Sequence, residues 1–339
     1  MRVLLIGPRP PPHGGISVHV EGIQRELLAA GVISRVLDMS LVRPGFRFGW
    51  TVLRHAMQGW TLHLHTNGHN ARSWLLALGC GLAGQFRGGC VLTLHSGMTP
   101  GFLNTARPWR RRLASLACSL YRQVICVSGE IRDAVLTLGL ESERTEVLPA
   151  FLRTERPEAA SESGLLTWIE RHRPLFSTVL FFRPEYGFDL LVTGLARFSR
   201  LHPSFGCLVM GSGEQRLEAE ERIRDAGLEE SILLLGDVDH ETCLALMSRC
   251  DVFLRPTLAD GDSISVREAV SLGIPAVASR AGMRPAGTIL FSPGDVDEML
   301  AAIDLALTVE RGNCSLSPGC MDRLMEIYLR VGAPEAQHA

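Results

Sequence analysis

The sequence predicts an α/β protein built as two doubly wound parallel-sheet domains in series, with a cleft between them. Three observations carry this. The chain has 339 residues, more than one ordinary domain needs. Short apolar runs alternate with longer helix-period segments, the pattern of parallel sheets covered by helices on both faces. That pattern breaks once, just after Ala150, and then starts again.

The elements follow in order. Arg2–Gly7 (RVLLIG) is a buried-strand run, and Ser17–Gly31 has apolar residues at Val20, Ile23, Leu27 and Leu28 with a glycine where a helix would stop. Ser34–Asp38, Thr61–His65, Cys90–His95 and Gln123–Val127 read as further strands with helical stretches between them. The polar stretch FLRTERPEAASES, with Pro157, reads as a linker. Beyond it, Ser177–Phe182, Gly206–Met210, Ile232–Leu235, Val252–Leu254, Ala276–Ala278 and Thr288–Phe291 read as strands. Helices are expected at Phe188–Arg200, Glu214–Ala226 and Glu241–Ser248, and a last amphipathic one at residues 317–331. The expected domains are residues 1–152 and 153–312, with residues 313–339 a helix and tail that pack back on the first.

Composition excludes several classes of function. Hydrophobic residues make up 46% and charged residues 21%, enough apolar material for two cores. The net charge of −2 gives no reason to expect a nucleic-acid partner. The chain has no lysine at all, which excludes Schiff-base chemistry and the lysine-bearing phosphate loop of nucleoside triphosphatases. Nine cysteines without a C-x-x-C pair read as free thiols in a reducing compartment. MRVLLIG turns too early for a signal peptide, and no apolar run is long enough to span a bilayer, so a cytoplasmic location is expected.

The stretch most suggestive of chemistry is DGDSISVREAVSLGIPAVAS, Asp260 to Ser279. Asp260 to Ser263 are turn formers, and a short helix should follow and end at Gly273. The first turn of a helix offers unpaired N–H groups to an anion. A diphosphate on the N–H groups of Ser263, Ile264 and Ser265 would leave Glu268 one turn away to accept ribose hydroxyls, with Asp260 facing a sugar. Ser265-x-x-Glu268 equally fits a capping box, in which Glu268 only punctuates the helix. Spacing alone leaves both readings open.

In its context this stretch resembles the C-terminal signature of retaining GT-B glycosyltransferases of the family-4 type. The resemblance covers most of the chain in the right order: MRVLLIGPRPPPHGGISVHV, LHLHT, LTLHSG, VICVSGEIRDAV, LVMGSGEQ and LLLGDVDHETCLALMSRCDVFLRPT all find counterparts. It implies two Rossmann-like domains, the second holding a nucleotide diphosphate sugar. It puts Glu268 on the ribose and Asp260, one methylene shorter than the usual glutamate, on the donor sugar. It puts Arg183 of FFRPEYGFDLL on the diphosphate, with Tyr186 where a lysine is usual and Arg255 as possible help. A surface ion pair of Arg183 with Glu185 is the plainer alternative.

The same resemblance puts the nucleotide base against the backbone near Val238. It sets the loop of Gly14 and Gly15 opposite the diphosphate, and His95 near the donor sugar as a catalytic residue. His63 and His65 share a strand face, but the sequence suggests no third ligand, so no metal site is expected. His65 is also a possible acceptor-site contact, and His13 and His19, which flank the glycine loop, stay unassigned.

Two basic and aromatic stretches lie in the first half. One holds Arg43, Arg47, Phe48, Trp50, Arg54 and Trp60; the other holds Arg107, Trp109, Arg110, Arg111 and Arg112. They read either as solvated faces or as a docking surface for the inner face of an anionic membrane.

The resemblance thus implies transfer of a hexose-type sugar from a nucleotide diphosphate sugar, uridine ahead of guanosine, to a hydroxyl on a sugar or lipid-linked acceptor, as in polysaccharide assembly. No permanently bound cofactor is implied. A sugar-nucleotide epimerase and a non-enzymatic sugar-nucleotide sensor are the alternatives.

Overall fold

The computed structural model describes residues 1–11, 13–42, 44–105, 107–150, 163–312 and 319–332. The linker stretch at residues 151–162, Arg43, Cys314 and the chain from residue 333 onward lie outside the described residues. The chain divides into two compact units. The first comprises Met1–Pro10, Gly15–Leu152 and Ser317–Ala339; the second comprises Pro11–Gly14 and Arg153–Leu316.

The first unit runs β1 (Arg2–Gly7), α1 (Gly15–Ala29), β2 (Ile33–Asp38), α2 (Phe46–Met57), β3 (Thr61–Thr66), α3 (Ala71–Ala83), β4 (Cys90–Leu94), α4 (Thr99–Thr105), α5 (Pro108–Ser119), β5 (Gln123–Cys126), α6 (Gly129–Leu136) and β6 (Thr145–Val147). Its six strands lie in the order β2-β1-β3-β4-β5-β6, and every pairing is parallel. β3, β4 and β5 are buried at every position, as strands covered on both faces must be. Asn70 and Ser128 cap α3 and α6 by accepting from the N–H groups of Ser73 and Ile131.

The second unit runs α7 (Ser163–Arg171), β7 (Leu175–Val179), α8 (Phe188–Phe198), β8 (Gly206–Met210), α9 (Arg216–Asp225), β9 (Ile232–Gly236), α10 (His240–Met247), β10 (Val252–Arg255), α11 (Ile264–Ser271), β11 (Ala276–Ser279), β12 (Ile289–Phe291) and α12 (Val296–Thr308). Its sheet is also six-stranded and parallel, in the order β12-β11-β10-β7-β8-β9. Phenylalanines 176, 198 and 205 meet edge-on or tilted, with centroids 5.3–6.1 Å apart, under one face of this sheet. The last helix, α13 (Cys320–Gly332), groups with the first unit. Its Leu324, Ile327, Tyr328 and Val331 join a core with Val3, Leu5, Val20, Ile23 and Val91.

Two strands differ from expectation. β6 was not anticipated because Thr-Glu-Val carries no apolar run; pairing to β5 defines it. β7 starts and ends earlier than Ser177–Phe182. The apolar run outlasts the strand, and the Leu180 and Phe182 N–H groups donate to Met210 O at the end of β8 and Ser212 O in the turn after it. Among the described residues no helix is long and apolar enough to cross a membrane.

Candidate functional site

In each sheet the chain reverses its winding once, between β7 and β10 in the second unit and between β1 and β3 in the first. The carboxyl ends of strands beside such a reversal are where open α/β sheets place ligands. Arg183 follows β7, Asp260 to Ser265 follow β10, and His65 lies near the end of β3. The residues singled out in the sequence therefore collect at these two places, one per unit.

The second unit's cluster centres on α11. Ser263 is its N-cap, and its hydroxyl accepts from Val266 N at 3.4 Å. Ser265 lies inside the helix, so the capping-box reading of Ser265 and Glu268 fails. The N–H groups of Ile264 and Ser265, in the first turn, have no intrahelical acceptor. Glu268 is buried, and its Oε1 lies 2.6 Å from His240 Nε2. His240 opens α10, capped by Asp239, directly after Val238. The expected base-binding loop and ribose acid thus adjoin. His240 was missed; its position after the strand ending in GDVDH was the available signal.

Asp260 is held rather than free. Its Oδ2 accepts from Arg255 Nε at 3.1 Å, lies 3.3 Å from Arg284 Nη2, and meets Thr257 Oγ1 at 3.4 Å; Oδ1 accepts from Gly261 N at 3.0 Å. Burial lowers the pKa of Arg284, while Asp260 works against that shift. Arg284 escaped the sequence reading altogether. Arg255 is not available to a diphosphate, because its guanidinium also donates to Val179 O and lies 5.0 Å from the Tyr186 ring. Tyr186, standing where a lysine was expected, is thus a platform for Arg255, and burial raises its hydroxyl pKa. Next along, Asp262 accepts from Arg267 Nε at 2.7 and 2.9 Å, a buried pair that pins the turn to its helix.

Arg183 is exposed, its guanidinium 5.7 Å from the Phe181 ring. It forms no ion pair with Glu185 or any other described residue, so the plainer reading of it fails. Gly211 has φ +130, and a Cβ there would sit 1.9 Å from Leu180 O, which fixes glycine at the turn after β8. Gly15 is different: a Cβ there would meet nothing within 4 Å, so packing does not demand glycine. Gly14 groups with the second unit and Gly15 opens α1 in the first.

The first unit's cluster is four histidines. His63 is fully bonded, Nδ1 to Tyr328 OH at 2.5 Å and Nε2 to Thr93 Oγ1 at 2.7 Å. His95 Nε2 lies 3.1 Å from His65 Nδ1, and His19 of α1 meets both rings edge-on. The fold thus supplies two close neighbours for the His63/His65 pair that sequence spacing did not reveal. His95 belongs to this group rather than standing alone at a strand end.

Burial holds His19 at about 4 and His63 at about 3, and holds His65 and His95 well below 6.5. Unfolding frees imidazoles that titrate near 6.5, so the unfolded chain binds protons first as pH falls. In metal-free protein this stabilisation is present above pH 6.5 and is lost progressively toward pH 4, on the order of 3 kcal/mol for His19 alone. Urea midpoints measured across that range should fall steeply, and less so in His19→Phe.

The basic stretches are sorted by burial. Phe48 and Trp60 are buried, not exposed, and Arg2 and Arg35 lie over the Trp60 ring at 5.7 and 5.4 Å. Phe46, Trp50 and Trp109 are exposed, at 89%, 55% and 51%.

Two doubly wound α/β units, each with polar residues gathered at the reversal of its sheet, define the GT-B class of fold. Crystal structures bear this out. Anabaena HepE in complex with UDP-glucose superposes with a TM-score of 0.70 at 18% identity, over 98% of this chain and 95% of that one. OtsA, a trehalose-6-phosphate synthase, gives 0.68 at 14% identity, over 97% and 96%. Residues 36–156 match Glycosyltransferase Family 4, and residues 169–313 match Glycosyl transferases group 1. The chain belongs to the family-4 type of glycosyltransferases. It is 24% identical over 217 residues to the phosphatidylinositol N-acetylglucosaminyltransferase gpi3 subunit of Schizosaccharomyces pombe, covering 61% of this chain and 46% of that protein. It is 27% identical over 217 residues to 2-deoxystreptamine glucosyltransferase of Streptomyces kanamyceticus, covering 59% and 51%. The chain spans about half the length of these curated relatives.

Proposed function

We propose that the protein transfers a hexose-type sugar, with retention, from a uridine diphosphate sugar to a hydroxyl on a lipid-linked or growing polysaccharide acceptor. The observation that carries this is the α11 start, where Ser263 caps the helix and buried Glu268 sits against His240 beside Val238. UDP and UDP-glucose in HepE crystals support a uridine donor.

Glu268 accepts the ribose hydroxyls, and the Val238 backbone faces the base. The Ile264 and Ser265 N–H groups and Arg183 take the diphosphate, with Gly14 leaving room for it. As the bond from the anomeric carbon to the phosphate oxygen breaks, charge grows on the leaving diphosphate, and preorganised N–H groups and a guanidinium stabilise it. Asp260 contacts the donor sugar.

A thermal-shift screen with UDP, GDP, ADP and dTDP and their sugar conjugates tests the donor. A ligand at a hundred times its Kd adds roughly 2.7 kcal/mol. UDP is expected to stabilise most; silence from every nucleotide would remove the reading. Turnover only with an acceptor present separates transfer from epimerisation and from binding alone.

The acceptor-side partner is an anionic membrane surface. Residues 39–129 contain ten arginines and neither Asp nor Glu. α3 packs against both α2 and α5, and this layer leaves Phe46, Trp50, Leu75, Leu82, Trp109 and Leu116 more than half exposed. Cationic and apolar side chains on one layer suit the headgroup region of a bilayer. Vesicles with anionic lipid at low salt should retain the protein several-fold better than zwitterionic ones, and Phe46→Ser with Trp50→Ser should remove the difference. Equal retention on both vesicles at low salt, where screening is weakest, would end this part of the reading.

A further inference from the structure

We propose that His19, His65 and His95 bind one divalent transition-metal ion, with Zn²⁺ the best match. The three rings come from α1, β3 and the residue after β4, and no sequence motif joins them. Their centroids form a nearly equilateral triangle, with sides of 5.6, 5.3 and 5.4 Å. Three imidazoles on a tetrahedral zinc at about 2.05 Å place their centroids about 5.2 Å apart. One ligand atom from each ring lies within 4.8 Å of the others. His65 Nδ1 and His95 Nε2, 3.1 Å apart, already approach the roughly 3.3 Å between two nitrogens on such an ion.

The bonding pattern points the same way. His63, in the same cluster, has both nitrogens bonded to protein hydroxyls. In the triad, His19 Nδ1 is buried with no hydrogen-bond partner, and leaving a buried polar atom unbonded is costly. Packing three imidazoles together with a buried nitrogen left unbonded is poor design for a core and good design for an ion. Nitrogen donors alone favour zinc and its transition-metal neighbours over magnesium or calcium, which take oxygen. Three protein ligands leave a fourth position for water or an anion. The inference does not depend on the transferase reading, because it is tested by binding.

Chelator-treated full-length protein is titrated with Zn²⁺ by calorimetry and with Co²⁺ by visible absorption. The expected result is one ion per chain and the intense absorption of tetrahedral Co²⁺. His19→Gln, His65→Gln and His95→Gln should each weaken Zn²⁺ binding at least about 100-fold, and His202→Gln, in the other unit, should leave it unchanged. No stoichiometric binding to wild type, or binding that survives all three replacements, overturns the proposal. Should a variant fail to fold by circular dichroism, X-ray absorption on the wild-type zinc form decides: three imidazoles uphold the site and fewer refute it.

Discussion

Asp260→Ala is expected to cost about 3–5 kcal/mol of stability, the range for breaking a buried ion pair by removing one partner. The same change should abolish sugar transfer. The carboxylate stands between Arg255 and Arg284, whose side chains are only 9% and 4% exposed. Without it, two guanidiniums face each other out of water. Chemical denaturation measures the loss. The electrostatic cause is checked by Asp260→Ala with Arg284→Met, which should be more stable than Asp260→Ala alone, because one of the stranded charges is gone. If the double variant is the less stable, the carboxylate matters for packing and not for charge. Asp260→Asn, which keeps the shape, should still bind a nucleotide diphosphate while losing transfer.

Glu268→Ala is expected to weaken UDP binding by roughly 100-fold or more, the worth of two hydrogen bonds from ribose hydroxyls to a charged acceptor. Calorimetry with UDP reads this directly. The α11 helix should survive, because its N-cap is Ser263 and Glu268 has no part in the cap. His240 Nε2, 2.6 Å from the Glu268 carboxylate, holds it in place, so His240→Ala should produce a smaller loss in the same direction. Unchanged UDP affinity in Glu268→Ala would end the ribose role. Equal loss of UDP affinity in Glu268→Ala and Asp260→Asn would contradict the division of labour between the two acids.

Local signals made much of this protein legible. The helix after Asp260 was readable because Gly-Asp-Ser turn chemistry precedes an apolar stripe and Gly273, at φ +73, stops it. The parallel strands were readable because a strand buried on both faces is a continuous apolar run, as in VLLIG or VLTL. β6 was not readable, since three residues without apolar character become a strand only by pairing with β5. Trp60 and Phe48 were misplaced for a related reason. Sequence marks a side chain as aromatic, but which face of a helix or strand is covered depends on its neighbours.

The site divides along the same line. Sequence by itself determined the class of fold, the turn and short helix that carry Ser263 and Glu268, and the arginine-only, acid-free character of residues 39–129, because each is a property of residues close together in the chain. Only the tertiary structure decided that Arg284 shares Asp260 with Arg255, that His240 seats Glu268, and that His19 and His95 join His65. Those partners lie tens of residues apart, and they meet because parallel sheets bring the carboxyl ends of separate strands to one edge. The energies that matter there, buried charge beside buried charge and imidazole beside imidazole, depend on distances of a few ångströms that spacing along the chain does not encode.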